Sequence, residues 1–266
     1  MGGFSADWLA LREAADAAAR AESLSAALAG LLAERDDPRI VDLGCGTGSN
    51  LRYLAPRLGA RQSWTLVDQD AALLERAAAT ALSESQAAPR TRRLDLASEL
   101  ENLDLTDCDL VTASALMDLV SADWFDRLAA RCRQAGCLLF PVLTYDGVMD
   151  WSPEDPVDAT VRTLFNAHQR GDKGFGPALG PAAPAHMEKS LRGLGFQVET
   201  ARSDWVLGAA DSELQAALLE GFAGAALELE PGQEAEIRDW TARRRGHLEA
   251  GTSRLRVGHL DLLARP

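Results

Sequence analysis

The sequence has little positive charge, and almost none of it is lysine. Its 266 residues include 27 lysines and arginines against 40 aspartates and glutamates, which gives a net charge of −13 at pH 7. Lys173 and Lys189 are the only lysines. Because nucleic acids reward basic surfaces, we expect no nucleic-acid partner. We interpret the preference for arginine over lysine as a coding bias rather than a functional signal.

Cysteine and histidine are also scarce. The four cysteines form no C-x-x-C pair and the four histidines are scattered, so we expect no metal site. A chain of this size with 47% hydrophobic residues has no need of disulfides. It has no apolar run of the length, about 18 residues, that spans a bilayer, and no secretory signal pattern at its start. We expect a reduced, cytoplasmic protein without a membrane partner; its oligomeric state stays open.

Short apolar runs alternate with helical patterns through the chain. A capping aspartate, Asp70, begins one such helix, which is predicted to reach Leu82. Strands that alternate with helices favour right-handed crossovers and a parallel sheet, and strands covered on both faces read as continuous apolar runs. The pattern predicts a doubly wound, Rossmann-like α/β fold. Its strands are expected at 39–43, 64–68, 91–96, 109–113, 137–143, 196–201 and 254–264.

We expect the residues outside these strands and helices to cover the same domain rather than to form a second one. Length alone allows one elaborated domain or two small ones, but no repeat or linker is visible. We predict a single domain over 1–266, with a helical cap at 1–38, a cofactor-binding core at 39–143 and a last strand at 254–264. Two inserts, 144–181 and 208–250, are predicted to be helical lids.

A glycine-rich turn joins the first predicted strand to the next helix. It reads Asp42-Leu43-Gly44-Cys45-Gly46-Thr47-Gly48. Glycines let a ligand approach the backbone, and a helix N-terminus offers free N–H groups to an anion. Ligands of such sheets lie beyond the carboxyl ends of the strands, so the turn indicates a nucleotide-type site. The alternative is a turn that uses glycine for its geometry alone.

The spacing of the glycines separates classes of ligand. The dinucleotide pattern G-x-G-x-x-G would need glycine at Ser49, and no Walker lysine follows, which excludes a P-loop. Asp68, at the end of the second strand, could accept hydrogen bonds from both ribose hydroxyls. Asp95, after the third strand, could accept from an adenine amino group, or it could simply cap a helix.

These motifs resemble those of the class I S-adenosylmethionine-dependent methyltransferases over about 39–143. The resemblance implies a seven-stranded sheet of order 3-2-1-4-5-7-6 with strand 7 antiparallel, and S-adenosylmethionine as cofactor. It further implies a role for each matching position. The loop of Gly44, Cys45, Gly46 and Gly48 would line the methionine portion, Asp42 and the main chain of Ala113 and Ser114 would hold its amino-acid end, Asp68 beside Gln69 would bind ribose, and Asp95 with Leu96 would bind adenine.

The additions to this core favour a small acceptor. The N-terminal helices and both inserts are expected on the cofactor edge, where they would close a lid over a pocket. Methyl transfer is an in-line displacement that depends mainly on positioning, and a base that takes the acceptor's proton is optional. Candidates for it are Asp118, Tyr145 and His168, and Trp151 and Phe175 could wall the pocket. The ordinary alternatives are a cap or surface acid, a solvated histidine and core aromatics.

Several arginines have two interpretations. Arg243-Arg244-Arg245, with Arg238, could face an anionic acceptor, but such a run more often forms one solvated helix face. Arg12 or Arg20 could meet the cofactor carboxylate, although an Asp16–Arg20 pair would also account for Arg20.

We therefore predict a methyltransferase that acts on a small molecule. Two alternatives stay open. One is an S-adenosylmethionine-binding module that has lost catalysis and acts as a regulator or partner; the other, less supported by the glycine spacing, is an NAD-dependent oxidoreductase. A protein acceptor would need an open groove and ranks below a small molecule.

Overall fold

The structure, a computed structural model, describes residues 4–59, 61–79 and 88–266. Its strands are β1 Arg39–Leu43, β2 Ser63–Asp68, β3 Arg90–Arg93, β4 Leu110–Ser114, β5 Leu138–Val142, β6 Thr144–Ser152, β7 Gln197–Arg202, β8 Trp205–Leu207 and β9 Arg254–Arg265. Its α-helices are α1 Ala6–Ala19, α2 Glu22–Leu32, α3 Ser49–Leu54, α4 Ala71–Ala78, α5 Leu96–Glu99, α6 Ala122–Ala135, α7 Asp158–His168, α8 Ala183–Gly193, α9 Ser212–Leu229 and α10 Glu234–Glu249.

The central sheet has the predicted order. The first five strands are parallel and lie in the order β3-β2-β1-β4-β5. The last strand, β9, pairs antiparallel with β5, and β7 pairs with the other side of β9. Since β7 and β9 are the predicted sixth and seventh strands, the expected order 3-2-1-4-5-7-6 and the antiparallel strand 7 are confirmed.

Two further strands lengthen the sheet along β9. β6 and β8 both pair antiparallel with the first half of β9, and Tyr145 lies opposite His259. The prediction that residues 144–181 form a helical insert is therefore wrong for 144–152, although α7 follows. The chain shifts sideways between β5 and β6 at Leu143. This residue has a φ of 52° and donates its N–H to Asp261 Oδ1 at 2.8 Å. It then continues along β9, with a register shift between Tyr145 and Met149.

Both faces of the sheet are covered by helices. One face packs α2, α3 and α4 through a cluster that includes Leu28, Leu51 and Leu66. The other packs α6 and α8 through Phe125 and Met187. This double cover explains the continuous apolar strands.

A third apolar cluster joins the inserted helices to the extended half of the sheet. α7, α9 and α10 pack there against β6, β8 and β9. The ring centroid of Trp151 on β6 lies 5.9 Å from that of Phe222 on α9 and 5.5 Å from that of Trp240 on α10, both edge to face. Edge-to-face pairs of this kind stabilise the packing beyond their buried area.

The helix ends follow the capping signals. Asp70 caps α4 by accepting from Ala72 N–H at 2.8 Å, and Ser121 caps α6 by accepting from Trp124 N–H at 3.3 Å. Gly136, with a φ of 70°, ends α6, as glycine commonly does at this position. The predicted extension of α4 to Leu82 lies outside the described residues.

No helix within residues 4–59, 61–79 and 88–266 is both long enough and apolar enough to cross a membrane.

Candidate cofactor and acceptor site

The glycine turn adopts a backbone that side chains disfavour. Gly44, Gly46 and Gly48 have φ values of 60°, 53° and 83°. A Cβ on Gly44 would lie 3.4 Å from Leu116, and one on Gly46 would lie 2.9 Å from Leu9 Cδ1. All three glycines suit the positive φ, and at Gly46 the close approach of Leu9 also leaves no room for a side chain.

Asp68 closes the turn from the end of β2. Its Oδ2 accepts from Gly46 N–H and its Oδ1 from Asp70 N–H, each at 2.9 Å. The neighbouring Gln69 accepts at its carbonyl from Arg93 Nε at 3.0 Å. The structure thus brings the predicted ribose acid against the glycine turn, and each carboxylate oxygen keeps acceptor capacity.

A buried polar chain runs beneath the turn. Asp42 is fully buried, and its Oδ1 accepts from Asn50 Nδ2 at 2.9 Å. The same amide nitrogen donates to Thr112 Oγ1 at 3.0 Å. Oδ2 of Asp42 has no hydrogen-bond partner. Burial raises the pKa of Asp42 to about 7, against the opposing effects of Asn50 and Arg20.

Arg20 continues this chain from the end of α1. Its Nη1 donates to Asn50 Oδ1 at 3.0 Å, its Nε lies 3.5 Å from Asp261 Oδ2, and its guanidinium carbon lies 4.3 Å from the centroid of the Tyr53 ring. Nη2 of Arg20 has no hydrogen-bond partner. The alternative Asp16–Arg20 pair is wrong, because Asp16 instead binds Arg12 at 2.9 Å.

A cavity of about 250 Å³ opens between α1, α3 and the ends of the strands. Its lining includes Arg20, Asn50 and Ser49, together with Asp16 and Ser114. It therefore lies beside the buried chain, and Ser114 is the predicted cofactor residue on its wall.

The adenine-side candidates have structural roles of their own. Asp95 accepts from Ala97 N–H at 3.0 Å and from Ser98 Oγ at 2.8 Å, which is the helix-cap alternative. The carbonyl of the buried Leu96 accepts from Trp124 Nε1 at 2.6 Å. Their contact with adenine stays a prediction.

Two of the residues predicted to hold the cofactor are buried, and their cofactor contacts stay predictions. Ala113 is 1% exposed, and Cys45 is 5% exposed with its N–H bonded to the Val67 carbonyl at 3.0 Å. Burial raises the pKa of the Cys45 thiol, so the side chain is a small filler rather than a nucleophile.

Asp118 and Tyr145 come together under α1. Oδ1 of Asp118 is removed from solvent and has no partner. Burial raises the pKa of Asp118 to about 6, partly offset by Arg12 and by the Tyr145 main chain. The Tyr145 hydroxyl lies 2.7 Å from Asn166 Oδ1. Burial and the nearby Asp146 and Asp118 charges raise the pKa of Tyr145.

His168 is engaged elsewhere. Its Nε2 lies 3.0 Å from Glu228 Oε2 and its Nδ1 lies 3.3 Å from Lys173 Nζ. The structure therefore ties it to the outer helices, and its catalytic role stays a prediction. Trp151 belongs to the third apolar cluster, and Phe175 packs on Trp124 at 5.4 Å, as the core alternative expects.

The arginines of the run 243–245, and Arg238, all form ion pairs. Arg244 is buried and binds Asp158 and the Pro153 carbonyl. Arg243, Arg245 and Arg238 pair with Asp155, Glu220 and Glu234. These contacts favour the structural interpretation over an anion site.

Sequence reasoning missed His259. It lies on β9 between the rings of Tyr145 and Trp205, at centroid distances of 6.1 Å and 5.1 Å. It is 5% exposed, and its Nδ1 has no partner. Burial and the Arg12 charge lower its pKa to about 3, so it is neutral. Its signal was a histidine near the middle of a strand whose other buried residues are mostly apolar.

Comparisons with known proteins agree with this geometry. Residues 40–136 match the family described as "Methyltransferase domain". Together with the observed sheet order, this match shows a methyltransferase domain of Rossmann-like fold at residues 40–136 of this chain. No curated protein shows significant sequence similarity to it.

Solved structures share the fold over about nine tenths of the chain. A Bacillus halodurans protein provisionally described as a methyltransferase has a TM-score of 0.53 at 15% identity and covers 91% of this chain and 98% of its own. The YcgJ protein of Bacillus subtilis has 0.51 at 12%, with 91% and 97% covered. A geranyl diphosphate methyltransferase in complex with GPP and sinefungin has 0.50 at 15%, with 91% and 77% covered. At these identities the likeness concerns the fold alone.

Proposed function

We propose that the protein transfers a methyl group from S-adenosylmethionine to a small molecule. The observation that carries the proposal is a pair of buried, unpartnered polar atoms of opposite charge, Asp42 Oδ2 and Arg20 Nη2, linked through Asn50 beside the cavity. An amino-acid group carries one ammonium and one carboxylate, so it would complete both partners. Unsatisfied buried groups are costly unless a ligand or water completes them.

The remaining cofactor contacts are supplied by the turn and by Asp68. When bound, S-adenosylmethionine supplies an electrophilic methyl group on a sulfonium. Gly44 and Gly46 place no side chain between the turn backbone and a ligand, and the remaining acceptor capacity of Asp68 suits ribose hydroxyls. These residues bind and orient; they donate no proton to the reaction.

The helices that cover the site favour a small acceptor. α7, α9 and α10 pack over the extended half of the sheet, and α1 lies across the glycine turn. A covered site excludes water and holds a small acceptor in line, which is the main source of rate for a displacement. A macromolecular acceptor would need an open groove.

Calorimetry with S-adenosylhomocysteine tests the cofactor site. We expect wild-type protein to bind, and Asp68→Ala to weaken Kd by about 10- to 100-fold, since hydrogen bonds to a charged group contribute roughly 1.5–3 kcal/mol. The matched control is Asp36→Ala at an exposed position, which should bind normally. Absence of binding by wild type, or an unchanged Kd for Asp68→Ala, overturns the proposal.

One observation favours the alternative of a binding module without catalysis. Leu9 packs directly on Gly46, which closes the glycine turn from the side of α1. Such a module would bind S-adenosylhomocysteine yet methylate nothing when offered labelled S-adenosylmethionine and a panel of acceptors. Product formation excludes it.

A further inference from the structure

The glycine-rich segment 171–176 carries Lys173, one of the two lysines of the chain. The backbone of this segment is fixed from within, because Asp172 Oδ1 accepts from Gly174 N–H at 2.7 Å and from Gly176 N–H at 3.0 Å. Both glycines have positive φ, 102° and 83°, a backbone that suits glycine. Lys173 therefore lies on a loop of defined shape.

Lys173, His168 and Glu228 form a chain of hydrogen bonds. Lys173 Nζ lies 3.3 Å from His168 Nδ1, and His168 Nε2 lies 3.0 Å from Glu228 Oε2. In the tautomer that donates Nε2–H to Glu228, the Nδ1 lone pair faces the lysine. An amine, an imidazole and a carboxylate in this order are the arrangement of a nucleophile, its base and the group that orients the base.

These three side chains are partly shielded and still open to a small molecule. Lys173 is half-buried, and burial lowers the pKa of its ammonium against the effect of the Glu228 charge. A lower pKa leaves more of the amine in its nucleophilic form at neutral pH. The side chain of His168 is 26% exposed and that of Glu228 is 72% exposed, so a reactant can approach from solvent.

We propose that Lys173 is an acylation site, a nucleophilic lysine that takes an acyl group from an acyl phosphate or a thioester with His168 as its base. Transfer of one ammonium proton to His168 Nδ1 frees the amine lone pair, which forms the bond to the acyl carbon. The carbon–oxygen or carbon–sulfur bond breaks with its electron pair kept by the phosphate or the thiolate, and this leaving group takes the second proton from nitrogen. Glu228 holds the imidazole in its tautomer and stabilises the imidazolium that forms.

This site is separate from the one proposed for methyl transfer. Lys173 lies outside the lining of the cavity of about 250 Å³ beside the glycine turn. Its acylation needs a free amine, a base and an activated acyl carbon, and the first two lie side by side in the structure. Failure of either proposal therefore leaves the other standing.

The two lysines allow a direct test by competition. The protein is treated at neutral pH with acetyl phosphate or with acetyl coenzyme A, a thioester, and mass spectrometry follows the acetylation of each lysine. We expect Lys173 to react about 10-fold faster or more than the exposed Lys189 of α8, because a positioned base contributes at least this much. A preference for Lys173 with one donor alone identifies the class of the acyl source; equal rates at the two lysines with both donors overturn the proposal.

Replacement of the base separates its effect from that of exposure. His168→Gln keeps an amide that can bond Glu228 but has no ring nitrogen to take a proton, so Lys173 should fall to the rate of Lys189. Glu228→Gln should lower the Lys173 rate less, because its amide oxygen still accepts the Nε2–H but carries no charge to stabilise the imidazolium.

The matched control is His186→Gln on α8. The side chain of His186 is also 26% exposed and its Nε2 lies 2.9 Å from Asp126 Oδ1, so it has the same kind of partner as His168. Its replacement should leave the Lys173 rate unchanged. Thermal unfolding confirms that each variant is folded. A preference for Lys173 that survives His168→Gln, or an equal loss of it in His186→Gln, overturns the proposal.

Discussion

Leu9 Cδ1 lies where a side chain at Gly46 would have to fit, 2.9 Å from an ideal Cβ at that position. This contact joins the first helix to the glycine turn. It makes the turn sensitive to substitution for two independent reasons, the positive φ of 53° at Gly46 and the packing of α1 upon it.

Gly46→Ala is expected to destabilise the protein and weaken S-adenosylhomocysteine binding. The left-handed backbone alone costs an alanine roughly 1–2 kcal/mol, and the contact with Leu9 adds to it. Urea unfolding measures the loss of stability. The double variant Leu9→Ala/Gly46→Ala should lose less free energy of unfolding than the sum of the losses in Leu9→Ala and Gly46→Ala. The control is Gly30→Ala within α2, where nothing lies within 4 Å. That change should stabilise by about 0.5–1 kcal/mol; equal stability of the two alanine variants would contradict the argument.

Asp42 makes stability fall as pH rises. Its folded pKa of about 7 lies above its ordinary value of 3.8, so between these values the folded state holds a proton that the unfolded state has released. The contribution of Asp42 to stability is therefore fully present below about pH 4 and is lost as the pH rises toward 7. Asp118, raised to about 6, acts in the same direction.

Asp42→Asn is expected to flatten this decline, because the amide has no charge to bury. Urea unfolding of wild type and variant at pH 5 and pH 8 should show the variant gaining relative stability at the higher pH. Asp118→Asn, measured in parallel, isolates the second carboxyl. A difference between wild type and Asp42→Asn that is independent of pH would contradict the assignment.

The sheet core could be predicted because its signals are local. The apolar strand at 39–43 and the glycines after it are contiguous in sequence, and capping by Asp70 involves neighbours two and three residues away. For Asp95 the same local pattern allowed either a helix cap or a contact with adenine, and the structure shows the cap. A short polar side chain before a helix suits both roles, so sequence alone could not separate them.

The extended half of the sheet could not be predicted because it depends on distant pairing. β6 forms only because β9 runs beside it, and the Tyr145–His259 register joins residues over a hundred positions apart. Glycine and proline in the 144–181 segment concealed the strand. Likewise, Arg20 pairs with Asp261 rather than with Asp16, because α1 ends above β9. No local sequence pattern predicts this tertiary contact.

Replacement of Arg20 tests the buried chain. Arg20→Met keeps an unbranched apolar side chain but leaves the fully buried Asp261 without its cation, so we expect a loss of about 3–5 kcal/mol. Asp261 also accepts from Ala21 N–H and Leu143 N–H, so Asp261→Asn should be destabilising too. A double-mutant cycle by urea unfolding should give a coupling energy well above zero; additive effects would show that the pair does not interact. Arg20→Lys should retain stability better than S-adenosylhomocysteine affinity, since one ammonium cannot replace a fork of donors.

Arg244 and its neighbour Arg243 provide a matched comparison on α10. Arg244 is 2% exposed and binds Asp158, which also accepts from Trp240 Nε1 at 2.8 Å. Arg243, whose side chain is 47% exposed, pairs with Asp155, and an ion pair with an exposed cation contributes less than a buried one. Arg244→Met should therefore lower the thermal unfolding temperature markedly by removing a buried cation, whereas Arg243→Met should leave it nearly unchanged. If the run instead served an anionic acceptor, Arg243→Met would impair turnover at unchanged stability. Equal unfolding temperatures for the two methionine variants would contradict the structural role, because burial is what separates otherwise similar pairs.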